Sequence, residues 1–255
     1  MREILSQLQN SRVTKQKRFA VLIDPDKVEN SSECLKLVNL CVENKVDYFM
    51  VGGSLITNNN FSEVISVIKR HSSIPVIIFP GNNMQIDSAA DGIFLLSLIS
   101  GRNAEFLIGQ HVVAAPVIKR TQLEVLPTGY ILVDAGNQTT AGYMSNTTPI
   151  PADKHSIAAC TALAGEMLGL QLIYMDAGSG AEQPISQKMI STVRKSIDLP
   201  LIVGGGINTL NKAQKALEAG ADVIVVGNAI EENPDLLIGI ADRIQSINTS
   251  SNVHQ

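Results

Sequence analysis

Leu201-Ile-Val-Gly204-Gly205-Gly206-Ile207 and, one helical stretch later, Val223-Ile-Val-Val-Gly227-Asn228-Ala229 decide how this chain reads. Each is a short apolar run that ends in glycine. A run without polar alternation suits a parallel strand covered on both faces. Glycine at its end lets backbone N–H groups approach an anion without a Cβ in the way, and the following helix N-terminus adds favourable charge. Two such turns at neighbouring strand ends match the phosphate cradle that follows the last two strands of a (β/α)8 barrel. Tight turns that hold no ligand are the alternative.

Working outward, six more runs of the same kind precede them: Phe19–Ile23, Tyr48–Val51, Val76–Phe79, Ile93–Leu96, Tyr130–Val133 and Leu172–Met175. Helical spacing lies between many of them, as in Cys34, Leu37, Val38 and Cys41, or Ala213, Ala216 and Leu217, and Gly220 stops the helix before the eighth run. Strand–helix alternation repeated eight times predicts one closed α/β barrel domain, a TIM barrel, over residues 1–255. A doubly wound open sheet would carry its phosphate loop after the first strand, where this chain has Asp24-Pro-Asp-Lys. Residues 1–15, with Ile4, Leu5 and Leu8, read as a helix capping the barrel bottom, and 248–255 as a flexible polar tail. Between Phe79 and Ile93 too few residues remain for a regular helix, so the third outer helix is expected to be irregular or missing, or cut to one or two turns.

Composition narrows the function classes. The 255 residues are 45% hydrophobic and 17% charged, with net charge −4, which fits a globular enzyme and excludes a basic nucleic-acid footprint. Cys34, Cys41 and Cys160 form no CxxC pair and read as buried thiols of a reducing compartment. The start, Met1-Arg-Glu-Ile, is charged where a signal peptide needs an apolar run, and no stretch is long and apolar enough to span a membrane. A cytoplasmic protein without a membrane span is expected.

The remaining strand ends carry the chemistry. Tyr174-Met175-Asp176-Ala177-Gly178-Ser179-Gly180 ends the sixth, and its glycines and serine can add donors to the same anion. Tyr174 and Asp176 share a face by period-2 alternation, and that face is the barrel interior. A carboxylate there is costly unless it is used or paired, so Asp176 is either catalytic or a structural salt-bridge acid. Asp24 and Ser54 end the first two strands on the same rim. A carboxylate plus a hydroxyl suits Mg2+, which keeps waters and takes phosphate oxygens, although both residues can equally cap helices.

In order along the chain, Asp24-Pro-Asp-Lys, Gly52-Gly-Ser, Tyr174-Met-Asp-Ala-Gly-Ser-Gly, Gly204-Gly-Gly-Ile and Val226-Gly-Asn-Ala resemble the motifs of geranylgeranylglyceryl phosphate synthases, from about Phe19 to Pro234. The loop lengths and the Leu22-Ile-Asp-Pro-Asp-Lys start look like the second of that family's two groups, which includes bacterial members. The resemblance implies a prenyltransferase that joins sn-glycerol 1-phosphate to a polyprenyl diphosphate such as geranylgeranyl diphosphate, forming an ether-lipid precursor. It implies Mg2+ on Asp24 and Ser54. It also implies glycerol phosphate held by Tyr174 to Gly180, by Gly205 and Gly206, and by Gly227 and Asn228, with Asp176 and Tyr174 catalytic. The family is similar too in lacking a regular third outer helix. It usually carries Glu where this chain has Asp176, one methylene shorter.

The thin wall after strand three, bordered by Phe79, Ile93, Phe94 and Leu95, is the candidate path for a prenyl tail. Lys119-Arg120 reads as a solvated pair rather than a diphosphate contact, Asp134 as either a rim residue that binds or orients something or a helix or loop cap, and His111 and His155 as structural histidines. Residues 136–154, with Tyr143, form a long loop of the kind used as lids or subunit contacts, so a homo-oligomer is expected. The rivals are a phosphosugar isomerase or aldolase on the same cradle, and a phosphate-ligand-binding barrel without catalysis. An aldolase wants a Schiff-base lysine at a strand end, and none of the eight runs carries one. An isomerase could pair Asp24 with Asp176.

Overall fold

The computed structural model describes residues 3–227, 229–230 and 233–252. Eight parallel strands close on themselves: β1 (Arg18–Ile23), β2 (Tyr48–Val51), β3 (Val76–Ile78), β4 (Gly92–Leu98), β5 (Glu124–Leu132), β6 (Leu172–Asp176), β7 (Leu201–Gly204) and β8 (Val223–Val226). β8 returns to β1 with Arg18 opposite Val223 and Val21 opposite Val226, so no strand edge is left open. This is the (β/α)8 barrel expected from the alternating runs.

Period-2 alternation sorts each strand into two cores. Ala20, Tyr48, Met50, Ile77, Phe94, Leu126, Tyr174, Ile202 and Val225 fill the interior. Phe19, Val21, Phe49, Ile78, Ile173, Met175 and Val203 face outward onto helices such as α2 (Ser31–Glu43) and α3 (Phe61–His71). The N-terminal helix α1 (Glu3–Val13) adds Ile4, Leu5 and Leu8 to the interior core and closes the bottom. Its free backbone N–H groups at Ile4 and Leu5 donate to the Glu124 carboxylate, each at 2.8 Å. That contact is why β5 begins at Glu124, six residues before the strand expected at Tyr130: the polar Glu124 and the Pro127-Thr-Gly stretch hide its first half from an apolar-run search.

The gap after β3 is as expected, and two further differences have local causes. Among the described residues no helix lies between β3 and β4, only turns, so the barrel wall is thin there. The chain from Asn248, expected to be a frayed tail, is helical to Asn252 because the C-terminal helix (Pro234–Asn252) is pinned: Asn248 accepts from Lys17 N at 2.7 Å and donates to Lys17 O at 2.9 Å. Cys34 and Cys41 are buried, their thiols pushed up to about 11 and about 12 by burial, but Cys160 is exposed. It sits on the outer side of α6 (His155–Met167), where helical spacing turns it away from the sheet.

Candidate active site

The C-terminal rim of the barrel holds one cleft of about 490 Å³. Asp24 reaches it from the end of β1, Gly52 to Ser54 from β2, Tyr174, Asp176 and Gly178 to Gly180 from β6, Gly205 and Gly206 from β7, and Gly227 from β8. The Asp24–Ser54 rim and the glycine turns of β6 to β8 therefore share one mouth. Met175 and Ala177 are corrections: alternation turns both into the outer core, where they are 0% and 1% exposed, and neither lines the cleft. Asn228 lies outside the described residues.

Asp176 stands at the top of β6, 8% exposed. The Tyr130 hydroxyl donates to its Oδ2 at 2.6 Å and Gly178 N–H donates to Oδ1 at 2.7 Å. No salt bridge to Asp176 forms among the described residues, which removes the structural ion-pair reading. Burial pushes its carboxyl above the usual carboxylate range, while the Tyr130 hydroxyl and the Gly178 N–H pull it back. Burial and the neighbouring Asp176 charge push the Tyr130 and Tyr174 phenols well up, so both remain protonated donors. Phe79, Tyr130 and Tyr174 pack against one another, tilted or edge-to-face, with ring centroids 5.1 to 5.9 Å apart.

At the glycine turns, Gly205 has φ +81°, and a Cβ placed there would lie 2.7 Å from Ala177 N, Gly178 N and Asp176 Oδ1. Only glycine lets the β7 turn approach the β6 turn this closely. On the opposite side, Asp24 caps the short 3-10 turn Pro25–Lys27, Oδ1 accepting from Asp26 N at 3.1 Å. The capping reading therefore holds for Asp24, through Oδ1. Burial pushes the Asp24 carboxyl up, against the Asp26 N–H and the Lys27 charge. A Cβ on Gly53 would sit 3.4 Å from Asp24 Oδ1, which puts Ser54 one residue from that carboxylate. Asp26 clasps the two loops, accepting from Thr57 N, Thr57 Oγ1 and Asn58 N at 2.7 to 2.8 Å. No group of three His, Cys, Asp or Glu converges among the described residues. One half-buried carboxylate and one hydroxyl suit a hard cation whose other ligands are waters and phosphate oxygens, and are a poor match for zinc.

A narrow apolar groove of about 100 Å³ continues from the cleft, sharing Ser54, Phe79 and Ala141 with it. Phe79, Ile93, Phe94 and Leu95 all line it, in the gap left by the absent third helix, with Ala114 and Ile118 of α4 (Gln110–Ile118) as its far wall. His111 lines the groove as well, its ring nitrogen 2.7 Å from Leu96 O. Asp134 caps Gly136 N–H at 3.0 Å, and Lys119, Arg120 and His155 line neither hollow. The 136–154 segment folds over the mouth, with Thr140 and Ala141 lining the cleft and Met144 and Ser145 lining the groove.

Sequence reasoning missed Tyr130, Lys27, Thr140 and Ala141 as lining residues. Lys27 was visible beside Asp24. Tyr130 becomes significant only through strand register, which sets it opposite Tyr174.

A family model described as the PcrB family matches residues 11–246. This chain belongs to the PcrB family. It is 57% identical to a geranylgeranylglyceryl phosphate synthase of Spirosoma linguale, over 95% of this chain and 97% of that protein. A relative of the same name from Pyrococcus furiosus is 45% identical over 87% of this chain and 88% of its own. Among solved structures, a Thermoplasma acidophilum (S)-3-O-geranylgeranylglyceryl phosphate synthase, in complex with its substrate sn-glycerol-1-phosphate, superposes with a TM-score of 0.90. It is 32% identical and covers 96% of this chain and all of that one.

Proposed function

We infer that this protein is a geranylgeranylglyceryl phosphate synthase, a prenyltransferase that joins sn-glycerol 1-phosphate to geranylgeranyl diphosphate. The observation that carries the reading is the continuity of a polar cleft, with a glycine cradle and a carboxylate rim, with an apolar groove through the thin wall. A phosphosugar isomerase could use the cleft but has no use for the groove. An aldolase would need a strand-end lysine inside the barrel, and the described strands supply none.

Glycerol phosphate would rest its phosphate on the β6–β8 turns, at Gly178 to Gly180, Gly205, Gly206 and Gly227, with Asn228 continuing the same turn. The prenyl tail would lie in the groove and the diphosphate near Asp24. Mg2+, held by Asp24 and Ser54, would neutralise charge on the departing diphosphate. The glycerol hydroxyl oxygen bonds to the allylic carbon as the carbon–oxygen bond to diphosphate breaks and its electron pair leaves with the diphosphate. Asp176 accepts the hydroxyl proton, and Tyr174 orients the glycerol. Fixing both partners makes the encounter effectively intramolecular, worth on the order of several kcal/mol. The reading includes a cytoplasmic location and a homo-oligomer whose contact uses the exposed side of residues 136–154, where Tyr143 projects.

Turnover of sn-glycerol 1-phosphate with Mg2+ and a panel of prenyl diphosphates of increasing length tests this. Ether product that is abolished by a chelator and restored by Mg2+ is expected. Tight glycerol phosphate binding without product from any prenyl diphosphate would select the non-catalytic barrel instead.

A further inference from the structure

Tyr130 is buried between the two halves of the site and is 7% exposed. Its ring lines the apolar groove, while its hydroxyl crosses to β6 and donates to Asp176 Oδ2 at 2.6 Å. Gly178 N–H holds the other oxygen, Oδ1, at 2.7 Å. Two donors on two different oxygens fix the plane of a carboxylate, which otherwise rotates freely about its last bond. Each oxygen keeps a further lone pair for a substrate proton.

Resting on the proposed function, we propose that Tyr130 is a positioning residue for proton transfer: its hydroxyl holds Asp176 ionised and in one orientation, from the wall of the prenyl groove. The shorter side chain of Asp176 makes this hold matter more. With one methylene fewer than glutamate it has less reach, so the direction of its free lone pairs decides whether the glycerol hydroxyl can be met. During transfer Tyr130 keeps its own proton. The hydroxyl proton of glycerol passes to Asp176, and the hydrogen bond from Tyr130 favours the carboxylate over the protonated acid.

The groups around Asp176 allow a clean reading. From β5 comes Tyr130, and from β6 itself Tyr174, both phenols kept protonated by burial. β7 contributes Gly204 and Gly205, which do not titrate, and the covering segment contributes Thr139 and Thr140. Across the mouth stand Asp24 and Lys27, unaltered by a change at Tyr130. Asp134, beyond the end of β5, is turned to Gly136 N–H instead.

The direction follows from the bonds. Burial raises the Asp176 carboxyl and the Tyr130 donor lowers it, so removing the donor must raise it further. Tyr130→Phe deletes one oxygen and preserves the ring. The acid limb of kcat/KM for glycerol phosphate is expected to move to higher pH by on the order of one unit, and the rate above the limb to fall by about three- to tenfold as the carboxylate loses its fixed plane. A residue that only supports the fold would lower the rate equally at every pH. Independently of turnover, carboxyl-carbon NMR of Asp-labelled protein, with Asp176→Asn to assign the signal, should show the same upward movement in Tyr130→Phe. An unmoved Asp176 titration overturns the proposal. A moved titration in a protein whose wild type makes no ether product leaves the Tyr130 hold standing and refutes the prenyltransferase reading.

Discussion

Gly205→Ala tests the glycine cradle, with Gly136→Ala as its internal control. Both glycines have positive φ, +81° and +92°, so alanine at either position carries the left-handed cost of about 1–2 kcal/mol. Both also gain the same small benefit from a stiffer unfolded chain, which cancels between them. They differ in space. A Cβ at Gly136 meets nothing within 4 Å, whereas at Gly205 it meets two backbone nitrogens and Asp176 Oδ1 at 2.7 Å. Reaching an ordinary contact near 3.4 Å requires the β6 and β7 turns to part by about 0.7 Å. Overpacking of this kind adds about 1–3 kcal/mol, and a chain of this length loses roughly 2–4 °C of Tm per kcal/mol. Gly205→Ala should therefore melt about 2–12 °C below Gly136→Ala. The same displacement moves the Asp176 carboxylate and the donors of the cradle, so kcat/KM for glycerol phosphate should fall by about ten- to a hundredfold, while Gly136→Ala stays near wild type. Differential scanning calorimetry and steady-state kinetics on the two variants decide it. Equal Tm values and equal kcat/KM would refute the claim that the close approach of the two turns builds the phosphate site.

Three further outcomes follow from other parts of the molecule. Asp176→Asn keeps the shape and removes the proton acceptor, so turnover should drop by about 10²–10⁴-fold with folding intact; unchanged turnover would take Asp176 out of the mechanism. Ala114→Asp puts a charge on the far wall of the groove, where Ala114 is buried, and should raise KM for geranylgeranyl diphosphate by about tenfold or more while sparing short prenyl diphosphates. An equal loss across chain lengths would move the tail elsewhere. At the opposite end of the barrel, Asp222 accepts from Arg194 Nη1 at 2.8 Å and Leu201 N at 2.9 Å, with Lys17 at 3.9 Å. Asp222→Ala removes the buried counter-charge that two partly buried cations share and leaves Leu201 N without its acceptor, which should cost on the order of 3 kcal/mol with kcat/KM unchanged below the melt; a kinetic defect without a stability loss would contradict that placement.

The fold was legible because closed parallel barrels repeat one signal. Tyr48–Val51 and Val223–Val226 end where their apolar runs end, since burial on both faces demands hydrophobic residues at every position. β5 was half hidden for the same reason in reverse. Its lower portion is stabilised by Glu124 serving α1, a contact over a hundred residues away that no local pattern announces. Asn248 behaves similarly, becoming part of a helix through its bonds to Lys17. At the site, assigning the whole run 174–180 to substrate overlooked the alternation that turns Met175 and Ala177 outward.

By itself, the sequence determined the barrel, the rim on which its chemistry sits, the thin wall after β3 and the residue types at each strand end. These depend on periodicity and on backbone needs, both of which are local. Only the tertiary structure decided that Tyr130 serves Asp176, that Gly205 must admit the β6 turn, and that the groove opens into the cleft at Phe79. Those depend on register and on the distance between strand ends, and register follows from closure of the whole sheet, a condition that no single segment contains.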